Sequence, residues 1–352
     1  MNAVVRALRA PPDAIAQARY GAPWWLPGGN LQTILPAVLS PAPRMRFVRE
    51  RWPSLGADGT PDGDFVDVDW LADAAGDGAV ATHWNPDAPL LVLFHGLEGS
   101  SRSHYAKAIM HAARARGWNG CVPHFRGCSG EINHLPRAYH SGDSTEVDWV
   151  LRRIAATRKP RAIYVVGISL GGNALLKWAG EQGAAAASVA RAVAAVSAPL
   201  DLAAAGAALG RGFNMLYTRM FLDTLKKKSL IKLARFPGIF DGDRMRCSRD
   251  LYEFDNIVTA PLHGFRDTDD YWARASAKPW LQHVAIPALA LNARNDPFMP
   301  ATALPVASRV SAYVTLDHPA HGGHVGFASG VLPPGRIDWL PQRLFNFFDL
   351  HR

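Results

Sequence analysis

Apolar residues along the chain fall into two patterns. Positions 89–94, 162–166 and 286–291 are short apolar runs with hardly a polar interruption, as strands buried on both faces of a sheet require. Between them lie longer stretches with apolar residues at helical spacing. Positions 103–116 read as a helix closed by Gly117, and 144–156 carry Val147, Val150, Leu151 and Ile154 on one face. Positions 170–181 are helical in pattern, 190–196 are apolar again, and Cys121-Val122-Pro123 marks a weaker strand. Positions 64–70 alternate acidic and apolar residues, which predicts a half-buried strand. Strand and helix in regular alternation imply a mostly parallel sheet with helices on both faces.

The alternation stops near Ala198. Positions 201–280 read as several helices with few strand signals, and the alternation resumes at 286–291 and 311–316 before a last amphipathic helix at 338–350. An insertion between two late strands is expected over the strand ends, where open α/β sheets keep their sites. The expectation is one domain over 1–352, with a helical cap at 201–280. Phe213, Met215, Leu216, Tyr217, Met220, Phe221 and Leu222 of that cap are expected to line an apolar pocket. The Pro- and Trp-rich opening, Ala22-Pro23-Trp24-Trp25-Leu26-Pro27-Gly28-Gly29, predicts an irregular N-terminal arm over 1–45.

Composition narrows the class without naming an activity. Of 352 residues, 48% are hydrophobic and 19% charged, a globular profile. The net charge of +8 comes largely from scattered Arg, and Lys226-Lys227-Lys228 is the one tight basic run, too short for a nucleic-acid tail. It is expected to be a solvated helix face, with a peripheral contact to anionic lipid as the alternative, and no nucleic-acid partner is expected. Cys121, Cys128 and Cys247 show neither disulfide nor metal spacing. With no signal-peptide pattern and no apolar run of the ~18 residues that a transmembrane span needs, a soluble cytoplasmic protein is expected, without metal or cofactor.

The strongest chemical signal is Gly167-Ile168-Ser169-Leu170-Gly171, with a strand before it and a helix after it. A serine on such a turn is lifted to the sheet edge, and the helix N-terminus aims its free amides at a reacting carbonyl. Ser169 is the candidate nucleophile. His95-Gly96-Leu97 follows the strand at 89–94, so the backbone amides of Leu97 and Leu170 are the candidate oxyanion donors. The acid should follow a late strand, which selects Asp296, with Asp201 as the rival; Asp267, Asp269 and Asp270 are expected to be solvated or structural. The base should follow the last strand, where His318, His321 and His324 stand. Gly322-Gly323 give His324 the backbone freedom to reach the sheet edge, so His324 is the choice and His321 the next. His95 is expected to order its loop, Arg126-Gly127-Cys128-Ser129-Gly130 to be a tight turn, and His111, His134 and His140 to be isolated.

Longer blocks carry a resemblance. These are His95-Gly96-Leu97-Glu98-Gly99-Ser100, Phe125-Arg126-Gly127-Cys128-Ser129-Gly130-Glu131, Tyr139-His140-Ser141-Gly142, Gly171-Gly172-Asn173, Tyr252-Glu253-Phe254-Asp255, Leu262-His263-Gly264-Phe265, Asn295-Asp296-Pro297-Phe298-Met299 and His321-Gly322-Gly323-His324-Val325-Gly326-Phe327. With Asn30-Leu31-Gln32-Thr33, they make the chain from about residue 20 onward resemble the YheT-like, EMB8-related branch of the α/β hydrolases. Asn30 stands where that pattern often has His, and Asp143 where it has Glu. The resemblance implies the α/β-hydrolase fold, a triad of Ser169, Asp296 and His324, and carboxylesterase or lipase-like action on a small-molecule acyl ester. Acyl transfer by the same acyl-enzyme and a non-catalytic binding module are the competing functions.

Overall fold

The computed structural model describes residues 19–55, 59–74 and 80–352. Nine strands form one sheet: β1 Phe47–Leu55, β2 Pro61–Ala74, β3 Val80–Thr82, β4 Leu90–Phe94, β5 Asn119–Pro123, β6 Ile163–Ile168, β7 Ala192–Val196, β8 Ala288–Leu291 and β9 Val314–Asp317. Their order is β1-β2-β5-β4-β6-β7-β8-β9, with β3 paired to β2. Pairing is parallel from β5 to β9 and antiparallel at the β1, β2 and β3 end.

The strand alternation divides the core into two layers. Leu90, Val92 and Phe94 face one, while Leu91 and Leu93 face the other. The first layer is covered by α3 (Ser144–Arg158), through Val147, Val150, Leu151 and Ile154, and by α4 (Leu170–Gln182), through Leu175, Leu176 and Trp178. The second is covered by α2 (His104–Ala115), through Ile109 and Met110, and by α11 (Trp339–Asp349), through Leu344, Phe345, Phe347 and Phe348. At roughly 1.5–3 kcal/mol for each large apolar side chain fully buried, these layers dominate the folding free energy.

Two elements depart from the sequence reading. The opening segment leads into a helix, α1 (Gly28–Val38), despite Gly28, Gly29 and an internal Pro36. β1 joins the edge of the sheet with a largely half-exposed pattern. Between β7 and β8 the chain runs through α5 (Leu202–Leu209), α6 (Met215–Arg235), α7 (Gly242–Cys247), α8 (Leu251–Phe254), a π-helical turn Asp255–Thr259, α9 (Ala260–Leu262) and α10 (Thr268–Ala275).

The basic run on α6 is not a uniformly solvated face. Lys227 is exposed and pairs with Asp223. Lys228 pairs with Glu98, and Lys226 donates to the carbonyls of Arg246 and Ser248. Three consecutive residues on a helix point about 100° apart, so Lys227 is exposed while Lys226 and Lys228 are half-buried.

Candidate active site

Ser169 occupies the turn between β6 and α4. Its backbone sits at φ 52°, ψ −120°, a conformation that a non-glycine residue adopts only when its surroundings enforce it. The Ser169 N–H donates to Val196 O at 2.8 Å, and the Ser169 carbonyl accepts from the Gly172 and Asn173 amides. Gly171 is required by space: a Cβ there would lie 2.5 Å from Phe94 O. The absent side chain lets the β4 loop close against the start of α4, which sets Leu97 beside Ser169.

His324 Nε2 lies 2.9 Å from Ser169 Oγ. Its Nδ1 lies 2.9 Å from Asp296 Oδ2 and 3.2 Å from Oδ1. An ionised carboxylate only accepts, so Nδ1 carries the proton and Nε2 is left to accept from the serine hydroxyl. The Asp296 side chain has no exposed surface, and its Oδ1 also accepts from the Phe298 amide at 2.8 Å. The Phe298 ring stacks on His324 at 4.0 Å between centroids and restricts the swing of the imidazole.

The rivals are occupied elsewhere. Asp201 caps α5 by accepting from the Ala204 amide and pairs with Lys278. Asp267 caps α10 through the Asp270 amide, and Asp270 pairs with Arg274. His321 is exposed. His95 donates from Nδ1 to Gly96 O and accepts the Phe125 amide at Nε2. Burial pushes its pKa down to about 3, helped by neighbouring His124, so it stays neutral and orders two loops. In the turn at 126–130, Arg126 is buried between Asp64 and Glu146. Burial pushes the Cys128 thiol up to about 12, which removes it as a nucleophile at neutral pH.

On the other side of Ser169, the Gly96 amide donates to Tyr105 Oη and the Glu98 amide to Tyr139 Oη. The Leu97 amide between them has no acceptor among the described residues. Leu170 opens α4, so its amide has no partner within the helix. Leu97 and Leu170 line the same cavity as Ser169 and His324.

That cavity measures about 110 Å³. One side is apolar, with Leu202, Leu209, Phe221, Leu225, Leu251 and Phe298. Of the seven cap residues expected to line it, Phe221 does so. Tyr217 and Leu222 are packed among the helices, Met215 is half-buried outside the lining, and Phe213, Leu216 and Met220 are 55%, 47% and 63% exposed. Spacings of three and four along a helix put those three on one face, the face away from the cavity. His140 is not isolated: its ring packs against His263 at 4.7 Å and borders the cavity.

Sequence reasoning missed the part played by α1. Gln32 Oε1 accepts from the Gly322 amide and from Asn295 Nδ2, and Gln32 Nε2 donates to Leu26 O. Thr33 Oγ1 accepts from the His324 amide at 2.9 Å. A Cβ at Gly326 would lie 1.7 Å from Gln32 O, so only glycine lets the His324 loop close on α1. The Asn30-Leu31-Gln32-Thr33 block was the available signal, but its contacts lie about 290 residues away along the chain.

The α/β hydrolase fold family matches residues 89–331. The chain belongs to that family. Within it, the YheT protein of Escherichia coli strain K12, which is named as an esterase, is 38% identical over 90% of this chain and 88% of its own length. Human phospholipase ABHD3 is 27% identical over 92% of this chain and 76% of its own. The Pyrococcus furiosus esterase Pf2001 shares the fold, with a TM-score of 0.51 at 14% identity over 88% of this chain and 97% of that one. This α/β hydrolase falls in the YheT-like branch and is a carboxylic ester hydrolase.

Proposed function

We propose that the enzyme is a serine carboxylesterase acting on short- to medium-chain acyl esters, with Ser169 as nucleophile, His324 as base and Asp296 as the acid that orients it. The observation that carries the reading is the continuous hydrogen-bonded line from Ser169 through His324 to Asp296 beside an apolar cavity. Ser169 Oγ attacks the ester carbonyl carbon while His324 Nε2 takes its proton. The carbonyl oxygen gains negative charge between the Leu97 and Leu170 amides, where the loss of one donor typically costs ~3 kcal/mol. His324 then returns the proton to the departing alkoxide, and the C–O bond breaks. Water, deprotonated by the same imidazole, attacks the acyl carbon, the bond from that carbon to Ser169 Oγ breaks, His324 returns the proton to Oγ and the carboxylic acid leaves. Residues 201–280 serve as the cap that shapes the acyl pocket. The small apolar cavity supports a short or medium acyl chain, with about 0.8 kcal/mol gained for each buried CH₂ that it accommodates.

The test is turnover of acetyl, butyryl, hexanoyl and octanoyl esters of one alcohol by the wild type and by Ser169→Ala. The alanine enzyme should lose roughly 10³-fold or more in kcat, and a fluorophosphonate should label the wild type on Ser169 alone. His324→Ala should lose nearly as much, and the double variant little more, because the residues act as a unit. Labelling that persists in Ser169→Ala would sink the assignment.

A further inference from the structure

The cavity beside Ser169 has a second, polar wall. Asp255, Thr259, His140, Ser141 and Tyr271 all border it, alongside the apolar residues of α5 and α6. Asp255 opens the π-helical turn, in which its carbonyl accepts from the Ala260 amide five residues on. Such widened turns are rare in helices and are often found at functional sites. Thr259 stands four residues on from Asp255, on the same face.

The carboxylate of Asp255 has two donors. Thr259 Oγ1 donates to Oδ1 at 2.6 Å and Trp272 Nε1 to Oδ2 at 2.9 Å. Each carboxylate oxygen accepts two hydrogen bonds, so one accepting site on each remains unfilled. Among the described residues no Lys, Arg or His forms an ion pair with it. Burial pushes its pKa up to about 6, so it is still largely ionised at neutral pH. A half-buried carboxylate without a counter-charge is costly to the extent that its remaining accepting sites are not filled from the cavity.

The neighbouring groups define what that something is. His140 Nδ1 accepts from the Gly142 amide at 3.2 Å, which leaves the ring proton on Nε2. Tyr271 Oη accepts from the Ser141 amide at 2.8 Å, which leaves its own proton to donate. The wall therefore offers one strong acceptor and two donors, with the Ser141 hydroxyl able to serve as either. A hydroxyl group, donor and acceptor at once, matches it: its one proton fills one open site of Asp255 and its lone pairs accept from the donors. An alkyl group satisfies none of it, and a carboxylate or phosphate would be repelled by Asp255.

We propose that this wall is a subsite for an uncharged hydroxyl carried by the ester substrate, with Asp255 as the acceptor of its proton. The proposal rests on the esterase reading of Ser169 and refines its substrate class. The hydroxyl belongs either to the acyl chain or to the alcohol, and both sources present the same group to Asp255.

The experiment uses two matched ester pairs, each a hydroxylated compound and its methyl-ended isostere. One pair carries the hydroxyl at the end of a medium acyl chain and the other at the end of the alcohol. In the wild type, at least one pair should show kcat/KM favouring the hydroxyl ester by roughly ten- to a hundredfold, the range of a hydrogen bond to a charged group. The ratio should fall toward unity in Asp255→Asn and in Asp255→Leu, and the pair that responds identifies the source. A ratio near one in the wild type for both pairs, or a preference that both variants keep, overturns the subsite. Binding of the corresponding non-hydrolysable ethers to Ser169→Ala, followed by calorimetry, separates this from the chemistry. An Asp255-dependent preference there supports the subsite even if the wild type turns over neither ester, a result that counts against the esterase reading alone.

Discussion

Asp255 borders the cavity and Asp296 stands behind His324 with no exposed side-chain surface, and the partners of the two aspartates differ in kind. Asp296 is matched to an imidazole that can take up a proton, while Asp255 meets only neutral donors. Its half-buried surface is cavity wall, and burial raises its pKa from the usual 3.8 to about 6. An acid whose folded pKa is raised binds its proton more tightly in the folded state. The stability associated with the group is therefore full below about pH 4 and falls as the pH rises toward 6. Asp255→Asn removes this dependence. Denaturant unfolding of both proteins at pH 4.5 and 7.5 should show the Asn variant gaining on the wild type by roughly 2 kcal/mol between the two pH values. An unchanged difference would mean that the carboxyl is solvated. The meeting of Ser169, Asp296 and His324 in one hydrogen-bonded line was legible in the sequence because each lies in a short motif in the loop after a strand. The surroundings of Asp255 were not, because although Thr259 stands at the ordinary helical spacing of four, its other donor is a tryptophan 17 residues away and no motif marks the pair.

At the scale of elements, legibility followed burial. β4, β6, β7 and β8 are buried at every position, so their apolar runs stood out. β1 was silent because an edge strand with Arg49, Glu50 and Arg51 half-exposed or exposed carries neither a run nor a clean alternation. α1 was silent for a different reason: Gly28, Gly29 and Pro36 argue against a helix, and bonds to distant loops hold it in place. α6 was read as helix correctly in kind but wrongly in facing. Its inner face carries Thr218, Leu222, Leu225 and Ser229, while Phe213 just before the helix, Leu216 and Met220 look outward. A triple variant, Phe213→Ser with Leu216→Gln and Met220→Gln, should therefore keep the wild-type kcat/KM on soluble butyryl esters within about twofold. Its unfolding midpoint should correspond to a change of no more than about 0.5 kcal/mol per substitution. A large loss of activity in that variant would mean that these side chains turn inward when substrate binds.

At the scale of the whole molecule, the first described residues close on the last third of the chain. Tyr20 Oη donates to Ala328 O, Trp24 Nε1 to Val331 O, Trp25 Nε1 to Gly330 O and Ser40 Oγ to Pro334 O. Tyr20 also packs edge-on against Phe327 and Trp339. These contacts meet the segment that follows His324, while Gln32 and Thr33 hold the loop that contains it. The segment adds nothing to the sheet, whose strands begin at Phe47. Its physical work is to fix the backbone of a loop in which Val325 and Phe327 both have positive φ, a conformation that side-chain-bearing residues do not keep unaided. Deletion of residues 1–43 should therefore leave the sheet folded but free the His324 loop. Far-UV circular dichroism should stay close to wild type, while fluorophosphonate labelling of Ser169 should slow by roughly 10²-fold, as for a misplaced catalytic group. Gln32→Ala is the milder version, since it strips acceptors from the buried Gly322 amide and from Asn295 at a cost of about 1–3 kcal/mol. That variant should lower kcat more than it raises KM, because it disturbs the base and not the cavity wall. A truncated protein that labels at the wild-type rate would show that the loop holds its own shape, and that α1 is a covering and not a positioning element.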